Sequence, residues 1–260
     1  MAGSNVDANS LIIVGAGGWG MMAALVAAGK GISVLLLEKT DKPGGSTAFS
    51  SRGIRAAGSR FQLALDIEDS PEQYARDIFD RNSNESDLAL TQRLADVARI
   101  DFNVGEFVFG HSGRRAHSWA EDKTICDFLW EAVEREPKIQ IRFSTSVLSF
   151  QQESDGTVTG VVTDSGIIPA AKVILASGGF GYSQEMVSQY IPALVGVHFP
   201  GHHGSTGEGI AMGLAAGAAT ENMVSFQPYP GPHRAGDAVG VAGSDNGRRH
   251  HSESSRTAFR

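Results

Sequence analysis

Apolar residues fall along this chain in three patterns, and each predicts a different element. Leu11 to Val14 is an unbroken apolar run of strand length, and Ile32 to Leu37 is another with Ser33 as its one polar residue, the pattern of buried parallel strands. Between them, from Gly17 to Ala28, Met21, Met22, Leu25 and Val26 recur at a helical period, with Gly29 in the position of a C-terminal cap. Strand, helix and strand within 28 residues predict one right-handed βαβ unit.

Residues 40 to 60 are rich in glycine and serine and read as a loop with room for a short helix. Helical signals dominate from Ser70 to Asp101. Ser70-Pro71-Glu72 starts one helix with a cap and a proline at its first position, and Leu88, Leu94 and Val97 carry the period of a second. Ile125 to Val133 reads as a third. The period then drops to two. Ile139-Gln140-Ile141-Arg142-Phe143, Ser146 to Phe150, Val158 to Val162 and Ile167 to Pro169 are short runs broken by Asp155-Gly156 and Asp164-Ser165-Gly166, which predict an antiparallel meander. Lys172 to Gly179 returns to a buried strand that stops at glycine, and a last helix runs from about Gly207 to Gly217. From Pro228 the texture turns polar and proline-rich, so residues 1–230 are assigned to one α/β domain and 231–260 to a separate end segment.

Bulk properties exclude several classes. A 260-residue chain with 41% hydrophobic and 20% charged residues can bury a sizeable core. Its formal net charge of -7, with no basic tract, argues against a nucleic-acid binder or an anionic-membrane binder. The one cysteine, Cys126, excludes an intrachain disulfide and reads as a small buried hydrophobe. The opening MAGSNVDANS lacks a signal-peptide pattern, and apolar runs such as Met21 to Ala28 fall short of a membrane span, so a cytoplasmic protein is expected. His198, His202, His203, His250 and His251 show no ligand spacing and read as solvated loop residues, so no metal site is expected. No G-x-S-x-G elbow supports a hydrolase.

Thirty-two glycines change the picture, because they gather at residues 15–20, 44–58, 178–181 and 196–217. Such clusters suit backbone approach to a ligand. Gly15, Gly17 and Gly20 form G-x-G-x-x-G between a strand and a helix, and Glu38 follows at the end of the next strand. The first glycine permits a tight turn, the second admits a pyrophosphate to the positive helix terminus, and the third lets helix and strand pack closely. Glu38 is placed to accept hydrogen bonds from a ribose diol. A dinucleotide, FAD or NAD, is the ligand these features predict. The meander interrupts a repeated Rossmann sheet and disfavours a nicotinamide dehydrogenase. Trp19, inside the motif, is expected to pack the helix start beside the cofactor.

Taken together the motifs resemble the FAD-binding flavoproteins of the fumarate reductase and succinate dehydrogenase type, a family that includes 3-ketosteroid dehydrogenases and urocanate reductases. The resemblance runs from about residue 11 to residue 230. It rests on VGAGGWG with Glu38-Lys39, GGSTAFSSRG at 44–53, Arg115-Ala116-His117, FSTSV at 143–147, VILASGGFG at 173–181, STGEG at 205–209 and GLAAGA at 213–218. It implies a Rossmann-like parallel sheet flanked by helices with an antiparallel meander, and an oxidoreductase acting on a C–C bond next to a carbonyl or carboxylate.

The resemblance also implies roles for residues. Gly15, Gly17 and Gly20, with Ala16 and Gly18 between them, would hold the pyrophosphate, and Glu38, with Lys39 beside it, the adenosine ribose. Gly44, Gly45, Ser46 and Thr47 would line the pyrophosphate and ribityl chain. Arg52 and Gly53 would lie near the flavin ring, and Val147 would meet the adenine through its backbone. Ala176, Ser177 and Gly178, with Thr206, Gly207 and Glu208, would complete the cradle. Ser46 stands where succinate dehydrogenases attach FAD through histidine, so non-covalent FAD is expected. Tyr229, in Gln227-Pro228-Tyr229-Pro230-Gly231, replaces a substrate-binding histidine, which points to an amphipathic or monoanionic substrate with an activated C–C bond. Arg256, after Asn246-Gly247-Arg248-Arg249, stands near the family's proton-donating arginine. The family continues with a capping domain, of which residues 231–260 would be the start, and needs an electron donor or acceptor.

Overall fold

A computed structural model of the chain describes residues 11–49, 53–81, 87–89, 91–92, 103–104, 116–118 and 124–226. The chain divides into two compact units, one of residues 1–49 and 126–260, the other of residues 50–125. Tyr229 and Arg256, with the segment 231–260, lie outside the described residues, as does Arg52.

The first unit is built on a parallel sheet. Strands β1 (Leu11–Val14), β2 (Val34–Leu37), β6 (Ile139–Arg142) and β10 (Lys172–Leu175) lie in the order β10-β1-β2-β6. Val14 pairs with Leu37 on one side and Leu175 on the other, and Leu37 with Arg142, so all four strands end at one edge.

Alternation along the two central strands divides the interior. Leu11, Ile13, Val34 and Leu36 pack with helix α1 (Gly18–Gly29) and with Cys126 and Val133 of helix α4 (Ile125–Arg135). Ile12, Val14, Leu35 and Leu37 face the other way. They meet Val161 and Ile168 of a three-stranded antiparallel meander, β7 (Val147–Gln152), β8 (Val158–Thr163) and β9 (Gly166–Pro169), and Ala170 just after it. Burying each of Ile12, Ile13, Leu35 and Leu36 is worth about 1.5–3 kcal/mol. The result is three layers, helices over parallel sheet over meander.

Three expectations are corrected here. Ile139 to Arg142 belongs to the parallel sheet, paired with β2, and not to the meander. Its alternation reflects an edge strand whose Ile139 and Ile141 pack toward the helices. The buried face of α1 is Gly20, Met21, Ala24, Ala27 and Ala28, while Met22, Val26 and Trp19 are exposed, Trp19 by 80%. Small side chains let the helix approach the sheet, and the larger ones are turned out. The helix cap is also displaced by two residues. Gly29 is the last helical residue, and Gly31 closes the helix as Ile32 N–H bonds Ala27 O at 3.1 Å and Gly31 N–H bonds Ala28 O at 2.8 Å.

Two more helices follow β10: α5 (Gln184–Tyr190), capped by Ser183, and α6 (Glu208–Ala215), with Gly207 as its N-cap. The second unit has an antiparallel sheet of β3 (Gly53–Arg55), β5 (Ala116–Ser118) and β4 (Asn103–Val104). Its core of Ala56, Ala57, Tyr74 and Ala75 is completed by Ile78. Helix α2 (Arg60–Leu63) begins with a capping box in which Ser59 and Gln62 exchange hydrogen bonds. Helix α3 (Pro71–Arg81) starts where predicted, its first-turn Gln73 N–H bonded to Ser70 Oγ at 3.2 Å. Residues 88–89 and 91–92 are helical, and Leu94 and Val97 lie outside the described residues.

Candidate functional site

The carboxyl ends of β1, β2 and β10 carry Gly15, Glu38 and Ala176 as their next residues. From β1 the chain crosses through α1 to β2, while β10 takes the opposite flank. The end of β1 is therefore a topological switch point, where open parallel sheets form a crevice.

Gly15 makes the turn. Its N–H bonds Leu37 O at 2.7 Å, and its φ of +106° is open only to glycine at ordinary cost. Ala16 N–H then donates to Glu38 Oε2 at 2.8 Å, and Gly18 N–H to Thr47 Oγ1 at 3.2 Å. Gly17 caps α1 without a side chain, and no acid stands in the first turn. The N–H groups of Trp19 and Gly20, which a capping side chain normally takes, have no hydrogen-bond partner among the described residues. The helix thus offers free donors and its positive end together, the physical requirement for an anion. Space is available as well. A Cβ built on Gly17 would meet only Gly44 O, at 3.8 Å, whereas one on Gly20 would run into the Gly15 carbonyl.

Glu38 is fixed from both sides. Besides Ala16, it accepts from Thr40 N–H at 2.9 Å and Thr40 Oγ1 at 2.8 Å, both on Oε1. Thr40 has no motif around it, and sequence reasoning missed it; a threonine two residues after a strand-ending acid, bonding back locally, is the signal that was present.

Gly44 and the 3-10 helix Gly45–Phe49 lie against the glycine turn, tied by Gly44 N–H to Ala16 O at 2.9 Å. From the helix side, Cys126 Sγ–H points to Gly44 O at 3.5 Å. Burial, and then the Asp127 carboxylate, push this thiol up to about 11, so it stays protonated and serves as packing.

Ala176, Ser177 and Gly178 leave β10 beside Gly15, with Ala176 N–H on Val14 O at 2.8 Å. The glycine-rich segment 201–209 closes on the same place. Ser46 Oγ lies 3.2 Å from Ser205 Oγ and accepts from His202 N–H at 3.2 Å. Lys39 Nζ donates to Gly204 O at 2.8 Å, Thr206 Oγ1 at 3.2 Å and Glu208 Oε1 at 2.9 Å. Burial pushes the Glu208 carboxyl up, but bonds from Thr206 and Lys39 outweigh it and hold the group below its ordinary value. His202, read from the sequence as solvated, accepts Gly204 N–H on Nδ1 at 3.0 Å and so shapes the segment. Buried Ser205 opens the STGEG motif, but sequence reasoning gave it no role.

Gly15 to Gly20, Glu38, Lys39, Gly44 to Thr47, Ala176 to Gly178 and Thr206 to Glu208 are thus brought to one edge of the first unit. Val147 opens β7, its side chain packed on the meander core. Gly53 opens β3 in the second unit. Among the described residues no group of three or more His, Cys, Asp or Glu side chains could hold a metal ion, and no helix is long and apolar enough to cross a membrane.

Known proteins resemble this chain in sequence and fold. The family described as FAD binding domain matches residues 10–99 and 106–241. The chain is 31% identical over 238 residues to NADH:fumarate oxidoreductase of Klebsiella pneumoniae, covering 85% of this chain and 26% of that protein. It is 31% identical over 241 residues to urocanate reductase of Eggerthella lenta, covering 85% of this chain and 40% of that one. The open conformation of a flavocytochrome c3 fumarate reductase superposes with a TM-score of 0.75 at 27% identity, over 80% of this chain and 40% of that one. The chain spans less than half the length of each of these relatives.

Proposed function

The chain belongs to the FAD binding domain family, and from that premise we propose that it is the FAD-holding part of an oxidoreductase that acts on a C–C bond next to a carbonyl or carboxylate. The observation that carries this reading is the convergence of four segments, 15–20, 44–49, 176–178 and 201–208, on the uncapped start of α1 beside an immobilised Glu38.

The residues fit the cofactor. The N–H groups of Trp19 and Gly20 are donors for pyrophosphate oxygens, and Gly17 leaves the backbone open to approach. Each carboxylate oxygen offers about two acceptor sites, and Glu38 Oε2 takes only the Ala16 N–H, so one on Oε2 remains for a ribose hydroxyl. Bound there, FAD supplies two-electron redox chemistry at a substrate carbon. Ser46 offers a hydroxyl where a covalent attachment needs a more nucleophilic side chain, so FAD is held non-covalently.

Relatives named for fumarate and urocanate point to a conjugated acid or enone as substrate. Tyr229, a hydrogen-bond donor without charge, favours the less highly charged members of that class. Tyr229 and Arg256 are the groups we assign to the proton at the neighbouring carbon, and an electron donor or acceptor closes the cycle. The buried, free thiol of Cys126 supports a cytoplasmic setting.

A second reading is favoured by the share of its relatives that the chain spans. In it the domain holds FAD, and turnover needs residues supplied outside the matched span. One experiment separates the two. The purified protein is examined for flavin absorbance, for flavin released by acid, and for reoxidation after anaerobic dithionite reduction by fumarate, urocanate or a ketosteroid enone. Releasable flavin with one acceptor faster than buffer supports the first reading. Releasable flavin with no preferred acceptor supports the second, and protein that takes up no FAD overturns both.

A further inference from the structure

Lys39 and Glu38 are adjacent at the end of β2, yet they hold opposite sides of the site. Glu38 reaches the Gly15–Gly20 turn through Ala16. Lys39 reaches segment 204–208, and it spends its whole donor capacity there. An ammonium has three N–H bonds, and three oxygens lie within 3.2 Å of Nζ, on Gly204, Thr206 and Glu208. None is left for a phosphate.

The segment it holds needs a tether. Gly201, Gly204 and Gly207 give it a large conformational entropy to lose, and Gly207 adopts φ +85° where it turns into α6. The other tethers are neutral, the Ser46–Ser205 hydroxyl pair with His202 N–H, and Tyr182 N–H on Ser205 O at 2.9 Å. Among the described residues Lys39 supplies the charged one, and Glu208 is its ion-pair partner at 2.9 Å.

We propose that Lys39 is a positioning residue of the FAD site and not a ligand of it: it latches segment 204–208 through Glu208 and thereby sets how quickly FAD leaves. The proposal deepens the FAD reading and rests on it for the cofactor's identity, while the latch itself exists without FAD.

The test uses Lys39→Met, Glu208→Gln and the double variant. Amide hydrogen exchange at Ser205 and Thr206 is followed in FAD-free protein, and FAD release is followed by recovery of flavin fluorescence on dilution. Lys39→Met should speed exchange at both amides by about fivefold and FAD release by a similar factor, and high salt should move the wild type the same way. Glu208→Gln should have a smaller effect in the same direction, and the double variant should be no worse than Lys39→Met. Unchanged exchange in Lys39→Met overturns the latch. So does a Lys39→Met effect on FAD release that keeps its full size in the Glu208→Gln background, since Lys39 then acts through something other than its pair with Glu208. Wild-type protein that takes up no FAD overturns the cofactor reading, and the exchange data then still decide the latch.

Discussion

The carboxylate of Glu38 accepts a hydrogen bond from the backbone N–H of Ala16 at 2.8 Å, joining the acid that ends β2 to the turn that ends β1. Thr40 occupies the other oxygen with its N–H and hydroxyl. An acid expected to serve a nucleotide is therefore also a strut of the FAD-free protein.

Glu38→Ala should cost stability before any cofactor is added. Glu38 is 9% exposed, so its removal leaves the N–H groups of Ala16 and Thr40 without an acceptor, while the Thr40 hydroxyl keeps Lys42 O at 2.8 Å. A buried donor left unpaired costs about 1–3 kcal/mol. Urea denaturation of FAD-free wild type and variant should show a loss of that size. Equal unfolding midpoints, with FAD uptake lost, would mean that the carboxylate serves the nucleotide alone.

Gly17 and Gly20 should respond to alanine in opposite ways. A Cβ at Gly20 overlaps the Gly15 carbonyl, and neither backbone has room to yield, so Gly20→Ala should destabilise by about 3 kcal/mol or more. At Gly17 the φ is an ordinary -75° and the nearest atom is 3.8 Å away. Gly17→Ala should change thermal stability by less than about 0.5 kcal/mol while weakening FAD binding by at least roughly tenfold. A Gly17→Ala variant that binds FAD like wild type would remove the pyrophosphate from this turn.

The βαβ start was legible because buried parallel strands are unbroken apolar runs, and glycine spacing marked the turn between them. The place of β6 was not. Ile139-Gln140-Ile141-Arg142 alternates because an edge strand is half-buried, and a period of two reports half-burial, not the direction of its neighbour. The buried face of α1 was misread for a related reason. Close approach to a sheet selects for small volume, so Ala24, Ala27 and Ala28 face inward while Met22 and Val26 do not. The glycine segments could each be named from sequence, but Thr40, His202 and Ser205 act through local hydrogen bonds that leave no periodic trace.

Cys126 should be inert in the native state and should weaken the fold at alkaline pH. Its thiol is raised from 9.0 to about 11 by burial and by Asp127, so the folded protein keeps a proton that the unfolded chain gives up first. The stabilising difference is complete below the unfolded value and disappears as pH rises through the folded one. Unfolding free energy should therefore fall between about pH 9 and pH 11, and Cys126→Ala should flatten that slope. An aromatic disulfide reagent at pH 8 should label the thiol only after denaturant is added. Rapid labelling of native protein would show that Gly44 O and α4 do not seal it.

Acid should open segment 204–208 later than an ordinary glutamate would permit. Glu208 is partly exposed, and burial alone would raise its carboxyl, yet the bonds from Thr206 and Lys39 leave it below the ordinary 4.5. A carboxyl lowered on folding contributes stability that is complete above its unfolded value and is lost only as pH falls through the lower, folded one. Protection of the segment should therefore persist as pH is brought down to about 4.5 and fail beneath it, when protonation removes the ion pair with Lys39. Cleavage by an acid protease, mapped along residues 201–209 as pH is lowered, reads this directly. Glu208→Gln has no charge to lose, so its cleavage should be faster than wild type above pH 4.5 and should approach wild type at the acid end. A wild-type profile with the same pH dependence as Glu208→Gln would show that the segment is held by the Ser46–Ser205 contact and not by the charged pair.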